Sequence, residues 1–267
     1  MTNLISQSFK NNEKKLVTFV TGGDPDLDTS LEIIKTIISN GADIIEIGMP
    51  FSDPMADGPT IQLSSNRAIS KGIDLEKIFS LTSEAKKIKN DLPIILMGYY
   101  NLILYFGVKQ FVKKCKEHGV DGLIIVDLQP EEDEDLINEL KNKHIDLIRL
   151  ITPTTDETRL KLILKNASGF LYYVSVMGIT GQKSADLNEL KQSVAFIKQH
   201  TNLPIVPGFG IKNAADVNNI CKIADGAVVG SSIIKIIEEN LNDKEKMLSK
   251  IDKFSKDLKT GTKIWIG

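Results

Sequence analysis

Short apolar runs alternate with longer amphipathic stretches along the whole of this 267-residue chain. The runs are Leu16-Val-Thr-Phe-Val-Thr21, Asp43 to Ile47, Pro93-Ile-Ile-Leu-Met97, Asp121 to Val126, Asp146 to Ile151, Phe170 to Val174, Pro204-Ile-Val-Pro207 and Gly226-Ala-Val-Val229. Each has the length and the Ile/Leu/Val content of a strand buried on both faces. Between the first two, Leu31, Ile34, Ile37 and Ile38 recur at helical spacing, with Asp28 or Thr29 available as a cap and Gly41 as a stop. Similar patterns predict helices over roughly 61–71, 74–89, 130–143, 187–200 and 213–223, with others ending near His118 and Asn166. In the 130–143 helix, Pro130 and the acids Glu131 to Glu134 suit the first turn. A helix opens after Gly230, a Lys-rich helix runs to about Leu258, and a short lead-in helix lies within residues 1–12.

Strand and helix thus alternate eight times, with no Gly/Ser linker or charge block to divide them. That period, the buried strands and the length together predict one domain over 1–267. Its expected fold is a closed (β/α)8 TIM barrel with an extra N-terminal helix and a C-terminal helix. The competing architecture is a doubly wound open sheet, which calls for fewer strands and a nucleotide loop after the first. Here Gly22-Gly23-Asp24-Pro25 follows that strand, and it is not a GxGxxG.

Composition narrows the function classes. The net charge of -2 offers no electrostatic case for nucleic acid or an anionic membrane. No apolar run approaches the ~20 residues that span a bilayer, and the first 15 residues lack a signal-peptide core. Two well-separated cysteines, Cys115 and Cys221, read as free thiols in a reduced, cytoplasmic compartment.

In a barrel, chemistry sits at the C-terminal ends of the strands. Glu46 interrupts the apolar second strand near that end, and burying a charge is costly enough to need a reason. The following loop, broken by Gly48, Pro50 and Pro54, carries Asp53 and Asp57. An acid on a rigid strand and another on a loop can divide proton transfers. Each also has a plain structural explanation: a rim carboxylate satisfied by backbone for Glu46, an Asx turn for Asp57 and Asp53. Asp127, ending strand four, reads as structural. Gly208 and Gly210 after strand seven, and Gly230-Ser231 after strand eight, suit a phosphate site, because close-approaching backbone N–H groups and a helix N-terminus favour an anion. The alternative is that they merely terminate strands. His118, His144 and His200 all fall near predicted helix ends away from the rim, which leaves no His-based triad or His-rich metal site and no metal expected. No lysine lies inside a predicted strand, so a Schiff-base aldolase is disfavoured.

The stretch Glu46-Ile-Gly-Met-Pro-Phe-Ser-Asp-Pro-Met-Ala-Asp57-Gly-Pro-Thr-Ile-Gln62 closely resembles the signature of the tryptophan synthase alpha chain family. Further matches follow in order: Thr21-Gly-Gly-Asp-Pro25, Tyr99-Tyr-Asn101, Tyr172-Tyr-Val-Ser175, Gly178-Ile-Thr-Gly181, Gly208-Phe-Gly210 and Gly230-Ser231. The resemblance covers essentially the whole chain. It implies retro-aldol cleavage of indole-3-glycerol phosphate to indole and glyceraldehyde 3-phosphate, with Glu46 and Asp57 as the two catalytic acids. It implies substrate contacts from Phe19, Met97, Tyr172, Thr180 and Phe209, and phosphate contacts from Gly181, Gly210, Gly230 and Ser231. It further implies a separate beta chain, which carries pyridoxal phosphate and pairs in an α2β2 tetramer, while this chain needs no cofactor. The surface for that partner would include the Pro50–Pro54 loop and Asn101. Gln129 stands where many members have proline, and Val176 where some have arginine.

Two other readings stay open beside this lyase. One is another phosphate-binding barrel enzyme, such as a phosphosugar isomerase or epimerase, although that class lacks this acid loop. The other is a catalytically silent barrel that only activates a partner, in which neither Glu46 nor Asp57 would be needed.

Overall fold

The computed structural model describes residues 3–11, 13–141, 143–174, 183–208 and 210–263, with the side chains of 183–186 excluded. Its strands are β1 (Lys15–Thr21), β2 (Ile44–Gly48), β3 (Ile94–Gly98), β4 (Gly122–Ile125), β5 (Asp146–Leu147), β6 (Arg149–Ile151), β7 (Leu171–Val174), β8 (Ile205–Gly208) and β9 (Gly226–Val229). All pair in parallel, in the order β5-β4-β3-β2-β1-β9-β8-β7-β6. β5 and β6 are the two halves of the predicted fifth strand, parted only at Ile148. The first half pairs with β4 and the second with β7, so eight strand positions close into the expected barrel.

Each strand reads apolar on both faces because each borders two cores. Val17, Ile44, Ile95, Ile124, Ile148, Phe170, Val206 and Val228, one from each strand position, meet inside the barrel. Ile5, from helix α1 (Leu4–Ser8), joins them as a plug at the N-terminal end. Residues of opposite parity, such as Leu16, Ile45, Ile47 and Leu96, point outward into the larger core beneath the helices. Alternation is thus present geometrically but invisible in the sequence pattern, because neither face meets water.

The helices are α2 (Leu27–Ser39), α3 (Pro59–Ser70), α4 (Leu75–Ile88), α5 (Tyr100–Phe106), α6 (Val108–Glu117), α7 (Glu134–Leu140), α8 (Glu157–Leu164), α9 (Lys183–Lys198), α10 (Ala214–Cys221), α11 (Ser231–Glu238) and α12 (Lys244–Gly261). Two expectations need correction. The cap of α2 is Asp26, whose carboxylate accepts from Thr29 N–H at 2.9 Å, so Asp28 and Thr29 lie inside the helix. α7 begins four residues late, and Pro130 to Glu132 form turns instead. Tertiary partners hold that segment: Asp133 pairs with buried Arg149 and accepts from Asn166, while Glu131 pairs with Arg159.

Aspartates brace the N-terminal end. Asp43 accepts from Leu16 N–H at 2.7 Å and from Lys259 at 2.6 Å. Asp121 does the same for Ile94 N–H and Lys86, and Asp225 for Ile205 N–H and Lys198. Each carboxylate, just ahead of one strand, grips the first amides of a neighbouring element and a lysine from an outer helix. The fold thereby holds one rim rigid and leaves the other to the loops.

Candidate active site

Strand β2 places Glu46 inside the barrel, opposite Phe19 of β1 and Ile95 of β3, one step above Ile44 of the inner core. Its side chain is fully buried. Among the described residues neither carboxylate oxygen has a hydrogen-bond partner. Burial, and then the negative charge of Asp57, push this carboxyl up to about 8. The group is therefore largely a neutral acid at pH 7, where an ordinary glutamate is ionised. Among the described residues no backbone group satisfies Glu46, as its plain structural explanation would require.

Asp57 arrives from the loop after β2. Pro59 then starts α3, a position where its missing N–H costs nothing. Two ties fix α3 to the end of β1. Arg67 donates two bonds to buried Asp24, at 2.7 and 2.8 Å, and the Thr21 and Ser64 hydroxyls meet at 2.5 Å. Asp57 is half-buried, and its Oδ2 accepts from the Tyr99 hydroxyl at 3.1 Å. Burial raises this carboxyl above the ordinary aspartate range, while the Tyr99 bond opposes the rise.

A small cleft opens beside Asp57 and Tyr99. It is lined by Phe19, Thr21, Gly48, Met49, Asp57, Ile61, Ser65, Met97, Gly98, Tyr99 and Val126. Phe19 and Met97 line the same cleft as Asp57. Tyr172, from β7, faces the same interior: burial and the charges of Glu46 and Asp57 hold its phenol well above the usual range, so it stays neutral. Its ring lies against Gly208, where an added Cβ would stand 2.4 Å from the Tyr172 oxygen. Gly48 is similarly covered by the Phe19 ring. These two glycines are needed to make room for the aromatic walls.

On the same C-terminal rim Gly210 is open, with no atom of the described residues within 4 Å of an added Cβ, and Gly230 precedes α11 without a side-chain cap. The first amides of α11 and exposed Ser231 are left facing the rim. Thr180, Gly181 and Phe209 lie outside the described residues, as do Val176 and Trp265.

Several predicted spectators behave as such. Asp127 Oδ1 accepts from Tyr100 N–H at 2.7 Å. Asp53, on an exposed turn, accepts from Ser52. His118 stacks on Phe79 and bonds to Ser83, and His200 packs against Phe196. Both cysteines are free and buried. Among the described residues no group of His, Cys, Asp and Glu is gathered to hold a metal, and no helix is long and apolar enough to cross a membrane. Sequence reasoning assigned no role to Tyr99. Its signal was available: a tyrosine one residue past β3, on the rim, where a polar tip can reach inward.

A parallel barrel with a fully buried acid that has no partner among the described residues, and with glycines following β8 and β9 on the same rim, defines a class of TIM-barrel proteins. The family model for the tryptophan synthase alpha chain matches residues 5–263. A tryptophan synthase alpha chain from Petrotoga mobilis is 46% identical over 255 residues, 96% of this chain and 98% of that one. Among solved structures, tryptophan synthase subunit alpha from Legionella pneumophila is similar at TM-score 0.91 and 33% identity, covering 98% of this chain and 99% of that chain. A Mycobacterium tuberculosis tryptophan synthase structure matches at TM-score 0.89 and 27% identity, covering 99% and 100%. The chain belongs to the tryptophan synthase alpha chain family.

Proposed function

We propose that this chain is a carbon–carbon lyase that cleaves indole-3-glycerol phosphate to indole and glyceraldehyde 3-phosphate. The observation that carries the reading is Glu46: a fully buried carboxyl with no partner among the described residues, held near 8. Phe19 and Met97 form apolar walls for the indole ring, with Phe209 completing them and Tyr172 and Thr180 touching the substrate. Gly181, Gly210, Gly230 and Ser231 take the phosphate through backbone N–H groups and a hydroxyl, and so orient the glycerol chain.

The reaction follows from two acids with different settings. Neutral Glu46 donates its proton to indole C3, turning the ring into a leaving group. The bond from C3 to the glycerol carbon breaks as the adjoining hydroxyl becomes an aldehyde. The hydroxyl proton returns to the Glu46 carboxylate, so the enzyme ends as it began. Ionised Asp57 accepts the indole N–H and stabilises the positive charge that develops on the ring. Each step uses side chains alone, and no cofactor is required in this chain.

The chain acts as an alpha subunit that passes indole to a beta chain carrying pyridoxal phosphate, in an α2β2 assembly in the cytoplasm. Exposed Met55, Leu104 and Tyr105 support this partner surface; Tyr105 is 94% exposed and Met55 86%. In sequence they flank the Pro50–Pro54 loop and Asn101, and large exposed apolar groups suit an interaction site.

The deciding measurement is indole release from indole-3-glycerol phosphate by the purified chain, alone and with a beta chain. Release that rises when the beta chain is added is expected. No release in either condition would overturn the lyase, and release indifferent to the beta chain would overturn the subunit reading.

A further inference from the structure

Tyr99 is buried, at 3% exposure, and its phenol lies between two neighbouring residues of the acid loop. Its oxygen accepts from Ala56 N–H at 3.0 Å, and the same hydroxyl reaches Asp57 Oδ2 at 3.1 Å. A phenol has one hydrogen. An amide N–H can only donate, so the Ala56 contact uses an oxygen lone pair. The phenol hydrogen is therefore free for the carboxylate. The ring itself is held firmly: its face stacks on Phe51, with centroids 5.2 Å apart. The next residue, Tyr100, is anchored through its N–H to Asp127.

We propose that Tyr99 is a positioning residue for Asp57, fixing the loop carboxylate over the cleft from the rigid end of β3. The inference rests on the lyase reading for its catalytic consequence. Its geometry stands apart from that reading. One oxygen grips a loop amide and the adjoining carboxylate together, so sliding the loop breaks both bonds and turning Asp57 away breaks the carboxylate bond. The titratable groups facing Asp57 are Glu46 from β2, Tyr99 beyond β3 and Tyr172 from β7. Among them Tyr99 is the hydrogen-bond donor, and its bond opposes the rise that burial imposes on the Asp57 carboxyl. Position and ionisation of the charge-stabilising acid thus come from one hydroxyl.

Tyr99→Phe keeps the ring and its stack on Phe51 and removes only that hydroxyl. Kinetics of indole release from pH 5 to 9 are expected to show kcat lowered about tenfold to a hundredfold, with KM within about threefold, as for loss of a hydrogen bond to a charged group. The acid limb of the kcat profile, set by ionisation of Asp57, should move to higher pH, and the alkaline limb set by Glu46 should stay. In an Asp57→Asn background the same change should cost little more, because both act on one group. Unchanged kcat, an unmoved acid limb, or an equal loss in the Asp57→Asn background would each overturn the proposal. Carbon-13 NMR titration of the Asp57 carboxyl reads the same contact without catalysis, and there Tyr99→Phe should raise the midpoint. If the wild-type chain releases no indole, the lyase reading falls while this titration still decides the role of Tyr99; an unmoved midpoint would reject it.

Discussion

The two ends of the barrel hold the same kind of side chain in opposite conditions. At the N-terminal end Asp43, Asp121 and Asp225 each accept from a backbone N–H and from a lysine. At the C-terminal end Glu46 has no partner among the described residues, and the one described side-chain donor to Asp57 is a neutral phenol. Even Asp121, lifted by burial, is pulled back by Lys86 and by the Ile94 amide. Nothing comparable pulls Glu46 back. Carboxylates that brace a fold are surrounded by donors that favour their charge. On the proposed reading, Glu46 must hold and release a proton, and it is denied them among the described residues.

The contrast breaks most sharply at Glu46. Glu46→Gln is expected to abolish indole release while leaving the fold and phosphate binding intact; near-wild-type turnover would end the distinction between the two rims. The same variant tests the cost of the unpartnered acid. The folded-state carboxyl, raised from 4.5 to about 8, keeps a proton that the unfolded chain has released. Its contribution is therefore complete below about 4.5 and is lost as pH rises through 8. Glutamine cannot ionise, so urea unfolding should show Glu46→Gln gaining on the wild type by about 1.4 kcal/mol for each pH unit across that window. A pH-independent difference would place the carboxyl in a more polar setting than the structure shows.

Asp57→Asn comes next, with a rate loss of about 10²–10³, or ~3–4 kcal/mol, for one misplaced charge-stabilising group. Single-turnover indole release measures it, and a mild effect would return Asp57 to a loop-forming role. The smallest effect on chemistry belongs to the other rim. Asp121→Ala should leave kcat within about twofold, yet it leaves the Ile94 amide unpaired by Asp121 and Lys86 with only the Leu92 carbonyl, and should cost ~2–3 kcal/mol in urea unfolding. A large loss of kcat at unchanged stability would mean that the brace reaches the site.

Much of this was legible in the chain. Eight short apolar runs separated by amphipathic stretches predicted a barrel, because a parallel strand buried on both faces leaves a run that few other structures produce. Glu46 stood out for the same reason: one charge in such a run is conspicuous. Asp57 was placed on the rim by strand-end counting, and Phe19 and Met97 entered only through the family resemblance. What failed was local. Helix α7 was expected from Pro130, but Arg149 and Asn166 hold Asp133 as the residue that precedes the helix, and neither partner is near it in sequence. The cap of α2 was assigned two or three residues late because Asp26, Asp28 and Thr29 offer similar chemistry, and only backbone geometry selects among them.

By itself the sequence determined the barrel, the rim on which the candidate residues collect and the family. These follow from periodicity and from residue types that act over a few positions. Tertiary structure decided which acids have partners. Asp121 and Glu46 are both acids at the margins of buried strands. Lys86 lies 35 residues before Asp121 and closes on it only when α4 packs against the barrel. Tyr99 lies 42 residues beyond Asp57, and β3 brings it there. A carboxyl's proton affinity is set by what surrounds it within a few ångströms, and those neighbours are assembled by folding.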